Sequence, residues 1–126
     1  RIMQVASKAG LIPGPVQAVY FATKSYVRAV SQAIAEEVSD TKVTCTALCP
    51  GATETEFVEQ ANLEGTNLIE SGMEKSRSVA EKGYNAMVKG KLIEITDIKL
   101  KITLDWIVPL MPRKMVLKTA RKTQEK

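Results

Sequence analysis

The chain opens on "RIMQVAS", a short apolar run that fits a buried strand, and Gly10, Pro13, Gly14 and Pro15 then follow too closely for it to continue. Residues 18 to 38, "AVYFATKSYVRAVSQAIAEEV", hold neither glycine nor proline. Apolar Ala22, Tyr26, Ala29, Val30, Ala33 and Ile34 recur there at helical spacing, which predicts an amphipathic helix. After a turn at Asp40 and Thr41, "KVTCTALC" is β-branched and apolar on both parities, as expected of a strand covered on both faces of a parallel sheet, and Pro50-Gly51 ends it. Residues 52 to 77 are polar and dotted with glycine; they read as a long connection with local helical scraps at "ATETEF" and "NLIESG" rather than as an element. "SVAEKGYNAMVKGK" predicts a helix closed by Gly90, and "LIEI" a strand. Strand, helix, strand, helix, strand is the alternation of an α/β fold built on a parallel sheet with right-handed crossovers.

Past Asp97 the pattern is two-valued. "IKLKITLDWIV" alternates at Ile98, Leu100, Ile102 and Leu104 like a strand, yet it also supports a helical stripe at 100, 104, 107, 108 and 111. Pro109 and Pro112 break it, and "RKMVLKTARKTQEK" reads as a short basic helix with Met115, Val116, Thr119 and Ala120 on one side. The chain therefore divides into residues 1–97, carrying the sheet, and an amphipathic, basic tail over residues 98–126.

Composition adds bounds: 126 residues with 44% hydrophobic and 25% charged content support one globular domain at most. The net charge of +4 is unevenly placed, since residues 1–72 carry five Lys/Arg against eight Asp/Glu and residues 73–126 carry thirteen against six. The basic tail reads as a solvated helix ahead of a contact with an anionic membrane surface. Nucleic acid ranks lower still because no aromatic residues interleave with the charges. Cys45 and Cys49, about 13 Å apart on a strand, cannot form a disulfide, and without any histidine a zinc site lacks partners; both read as buried thiols. No run of about 18 apolar residues and no signal peptide is visible, so the expected location is cytoplasmic. A start directly on a strand, without an initiator methionine, reads as a chain cut into.

Chemistry concentrates in "VASKAGLIPGPVQAVYFATK". Tyr20 and Lys24 stand four apart and share one helix face, where an ammonium beside a phenol favours the phenolate and makes the hydroxyl usable for proton transfer. Ser7 closes the preceding strand at the end where open α/β sheets hold ligands. Tyr-x-x-x-Lys alone is common by chance, and a tyrosine packed on a lysine stem gives the same spacing. Here the pair begins a helix directly after a strand that ends in serine, and a second strand ends in Pro-Gly before a long loop.

That conjunction, with "LCPGATETEF" following, resembles the short-chain dehydrogenases/reductases over residues 2 to about 60. "SVAEKGYNAMVKGK" and the proline-broken tail resemble the DltE-like bacterial branch of that family. The resemblance implies the C-terminal part of a doubly wound, Rossmann-like domain. It implies an NAD(P)-dependent oxidoreductase that passes a hydride between nicotinamide and a carbonyl or alcohol, with NAD or NADP as cofactor. Tyr20 would be the acid/base, Lys24 would bind the nicotinamide ribose and assist the tyrosine, and Ser7 would orient the substrate oxygen. Pro50, Gly51, Thr53 and Thr55 would meet the nicotinamide end, and residues 57 to about 73 would form a substrate lid. The parent would be a homodimer or tetramer, with the helix of residues 18 to 38 in a subunit interface. No glycine-rich pyrophosphate turn is present, and family members are about twice as long, so the expectation is a C-terminal half that is inactive alone. The competing expectation is a non-catalytic binding or assembly protein built on the same fold.

Overall fold

A computed structural model describes residues 1–56, 60 and 72–124. Along the chain the elements are β1 (Ile2–Val5), α1 (Ala18–Glu37), β2 (Cys45–Cys49), the two-residue strands β3 (Thr53–Glu54) and β4 (Glu74–Lys75), α2 (Ser76–Val88), β5 (Ile93–Ile95), α3 (Ile98–Ile102) and α4 (Arg113–Gln124). β1, β2 and β5 form a parallel sheet in that order, with Ile2 opposite Cys45 and Ala47 opposite Ile93. Parallel neighbours cannot be joined by a tight turn, so each connection carries a helix. The expected α/β, Rossmann-like arrangement is therefore the one observed.

The two crossover helices lie on opposite faces of the sheet. Gly83 of α2 sits so close to the sheet that a Cβ there would lie 2.7 Å from Leu48 Cδ2 and 3.2 Å from the Met3 sulfur. On the other face Ala6, Cys49 and Ile95 cluster with Val27 of α1. Leu48 and Cys49 are adjacent and so point to opposite faces, which is why all five residues of β2 are buried. Cys45 and Cys49 are free thiols in this core, and burial pushes both up from the ordinary thiol range.

α1 starts where the sequence predicts it, but the stripe that reveals the helix lies on its outer side. Ala22, Ala29 and Ala33 are exposed, as is Tyr26 at 69%. The sheet side carries Phe21 and the fully buried Ser31, whose hydroxyl donates to the Val27 carbonyl at 2.7 Å. A satisfied serine there lets the helix approach β2 closely at no hydrogen-bonding cost.

Residues 52–77 hold more structure than their polarity predicts. β3 and β4 pair in parallel, Thr53 with Glu74 and Glu54 with Lys75, so this connection is tied at its base, and α2 begins at Ser76. The expected lid falls outside the described residues apart from Gln60, Gly72 and Met73, as does the scrap "NLIESG" apart from Gly72; the scrap "ATETEF" is not helical, since Thr53–Glu54 form β3. α2 closes as expected: Gly90 takes φ of +67°, and the Gly90 and Lys91 N–H groups donate to Met87 and Ala86 carbonyls.

The ambiguous segment is helical. Asp97 accepts from the N–H groups of Lys99 at 2.9 Å and Leu100 at 3.2 Å, a cap that a strand would not use. α3 then widens into a π-helical turn over Thr103–Ile107 and tightens into a 3₁₀ turn over Val108–Leu110. The extra residue in the wide turn shifts the register, so Leu100, Leu104, Val108 and Met111 share a cavity while Ile107 is 51% exposed. α4 buries Val116, Ala120 and Gln124 and exposes Arg113, Lys114, Lys118, Arg121 and Lys122. Among the described residues no helix is long and apolar enough to cross a membrane.

Candidate active site

The C-terminal ends of the three sheet strands lie side by side. Pairing continues past the regular ladder, with Ala6 N–H donating to Leu48 O at 2.8 Å and Lys8 N–H to Pro50 O at 2.9 Å, so Ser7 is held beside the Pro50-Gly51 turn. The Ser7 hydroxyl accepts from Ala9 N–H at 3.1 Å and starts a 3₁₀ turn over Lys8–Gly10. That turn is fastened to α1, because the Gly10 carbonyl accepts from Arg28 Nε at 2.8 Å and from the Ser25 hydroxyl at 3.3 Å.

Helical spacing does what it predicts for Tyr20 and Lys24. Lys24 Nζ lies 5.9 Å from the centre of the Tyr20 ring and donates to the Val5 carbonyl at 3.2 Å, which ties α1 to the end of β1. Tyr20 meets Phe21 edge to face at 6.1 Å. Beneath the second strand end, Gly51 N–H donates to the Thr96 hydroxyl at 3.4 Å and Thr53 donates to Gly51 O at 3.2 Å.

Thr96 and Glu74 are the residues that the pattern of the chain did not single out. The Thr96 hydroxyl donates to the Glu74 carboxylate, and Lys82 pairs with the same carboxylate while donating to Thr96 O at 2.9 Å. Glu74 stands at the base of the 52–77 connection, so this cluster couples that base to the Pro50-Gly51 turn. A sequence signal existed: Thr96 is a hydroxyl residue directly after the third strand, as Ser7 closely follows the first.

A cavity of about 490 Å³ lies over these strand ends. Ser7, Tyr20 and Lys24 line it from the side of β1 and α1, and Pro50, Gly51, Thr53 and Thr55 from the side of β2 and β3. All seven residues singled out in the sequence thus border one space. Among the wall residues that were not foreseen are Lys8 and Gln124 of α4. Burial pulls the Lys8 ammonium below its ordinary range, partly offset by the charge of Asp97.

The family model for short chain dehydrogenases matches residues 1–65. The chain belongs to that family. An uncharacterized oxidoreductase of Staphylococcus epidermidis is 26% identical to this chain over 100 residues, 79% of the present chain and 41% of the relative. A 7beta-hydroxysteroid dehydrogenase structure superposes with a TM-score of 0.76 at 18% identity, over 94% of this chain and 46% of the other. A short-chain dehydrogenase from Sphingobium yanoikuyae in complex with NADPH gives 0.72 at 21% identity, over 99% of this chain and 47% of the other. The chain thus spans under half the length of these family relatives, and the two structures share its fold.

Proposed function

We propose that this chain is the catalytic half of an NAD(P)-dependent oxidoreductase that interconverts a carbonyl and an alcohol. The observation that carries the reading is that Ser7, Tyr20 and Lys24 line one cavity at the C-terminal ends of parallel strands, the ligand-binding end of open α/β sheets. The cavity's donor set suits the nicotinamide end of a dinucleotide: the Lys24 ammonium and Tyr20 hydroxyl would hold its ribose, and Thr53 and Thr55 beside the Pro50-Gly51 turn would hold its carboxamide. When bound, the nicotinamide supplies or takes the hydride. Tyr20 gives a proton to the carbonyl oxygen in reduction and takes it back in oxidation. Lys24 would hold the ribose, and Ser7 would hold the substrate oxygen.

The spacing of the glycines at 10, 14, 51, 65, 72, 83 and 90 matches no dinucleotide fingerprint, and residues 1–126 alone are expected to bind dinucleotide weakly. We assign "SVAEKGYNAMVKGK" and the proline-broken tail to the DltE-like branch, and the full protein to a cytoplasmic homo-oligomer acting on a small molecule. The test is Tyr20→Phe in the full-length protein, which keeps the ring and removes the hydroxyl: turnover falls by about 10² or more with the fold intact. Lys24→Met weakens apparent cofactor affinity, read as a rise in the cofactor KM. Turnover above about a third of wild type in Tyr20→Phe excludes the proton-transfer role.

A further inference from the structure

We infer that the substrate carries a long apolar body, and that this body lies in a second chamber walled by α3, its following turns and α4. The inference rests on the oxidoreductase reading and adds the class of molecule on which it acts. The chamber measures about 260 Å³ and is lined by Leu100, Leu104, Val108 and Met111 from one side and Val116 and Ala120 from the other. It adjoins the catalytic cavity, since Lys8, Ala9, Phe21 and Gln124 border both spaces. A molecule whose reacting carbon sits at Tyr20 therefore has an apolar recess in reach, past the Phe21 ring.

A second, independent feature points to a ligand at that junction. Gln124 is 9% exposed, and its Oε1 has no hydrogen-bond partner among the described residues. A buried acceptor left unpaired is costly, and it is retained most readily where a ligand donor completes it. An apolar body that bears one hydroxyl or N–H part-way along satisfies both the recess and the orphaned oxygen. The π-helical turn contributes too: it turns Ile107 out to solvent while Val108 and Met111 stay on the chamber wall.

The experiment uses the full-length protein with NADH and NADPH and a series of straight-chain 2-alkanones from butanone to dodecanone, reading kcat/KM for reduction and, by calorimetry, the affinity for decan-2-one. The expected result is a rise of about three- to fourfold per methylene, the worth of burying a CH2, followed by a plateau at a limiting length. Ala120→Leu fills the chamber and lowers the long-to-short ratio of kcat/KM at least tenfold, whereas Val116→Ala deepens it and moves the plateau to longer chains. The opposite signs separate chamber volume from damaged folding, which lowers activity on every length alike. Turnover with a flat length dependence, or a ratio that neither substitution moves, overturns the chamber and leaves the oxidoreductase reading standing. Decanone binding that Ala120→Leu abolishes, without turnover by any variant, overturns the oxidoreductase reading and supports the chamber. Neither binding nor turnover overturns the chamber.

Discussion

Lys8 shows how one residue reports its surroundings. It follows the serine that closes the first strand, its N–H is used by Pro50 O, and its side chain borders both cavities. Burial disfavours the ammonium more than Asp97 supports it, so the folded protein binds this proton less tightly than the unfolded chain does. The penalty is present in full below the lowered folded value, fades as pH rises through it, and is gone by the ordinary 10.5. Lys8→Met, which keeps the stem and drops the charge, is expected to raise the melting temperature at pH 7, with the gap over wild type narrowing toward pH 10. Thermal unfolding of the full-length protein at half-unit pH steps checks this; a gap that widens with pH overturns it. Nothing in the sequence disclosed that Lys8 is half-buried, because a lysine in a Gly/Pro-rich loop looks solvated until the loop folds back on α1.

Among the elements, the 3₁₀ turn over Lys8–Gly10 sets the distance between the serine and the helix that bears tyrosine and lysine. Gly10 has no room for a side chain, since a Cβ would lie 2.6 Å from the Lys24 carbonyl oxygen and 2.9 Å from its carbon. That neighbour is backbone within a helix and cannot swing aside. Gly10→Ala is therefore expected to cost about 1–3 kcal/mol and to push Ser7 away from α1, lowering turnover beyond what the stability loss explains. Denaturant unfolding and kcat below the melting transition read the two effects, and a variant of wild-type stability and turnover rules the close approach unimportant. The elements themselves were largely legible. α1, β2 and the Gly90 cap follow from periodicity, two-sided apolarity and a glycine in left-handed conformation, all local physics. What escaped were β3 and β4, whose two residues each cannot show a period, and the π-helical turn, whose extra residue breaks the stripe that would have revealed it. The candidate site was legible only in part: the seven residues named from the sequence border one cavity, whereas Lys8 and Thr96 stand beside strand ends with no motif to mark them, and Glu74 and Gln124 are brought in by folding from distant segments.

For the whole molecule, the distribution of apolar surface remains to be accounted for. The outer side of α1 exposes Val19 at 79% and Tyr26 at 69%, with Ala22, Ala29 and Ala33 beside them, a flat face of small side chains that lets a second helix approach closely. Charge does not guard it, since between Lys24 and Glu36 the only ionisable side chain besides Tyr26 is Arg28, which is turned to Gly10 O. Two copies meeting through this face bury matching surfaces about a two-fold axis, the commonest symmetry of soluble oligomers. Self-association through α1 would also stiffen the helix that carries Tyr20 and Lys24. The full-length protein is accordingly expected to sediment as a dimer or tetramer, and Ala29→Arg to weaken that association at least tenfold while leaving the circular dichroism spectrum unchanged, because position 29 is exposed. Sedimentation equilibrium over a hundredfold concentration range measures both. A wild-type monomer throughout that range, or an oligomer indifferent to Ala29→Arg, removes α1 as the contact.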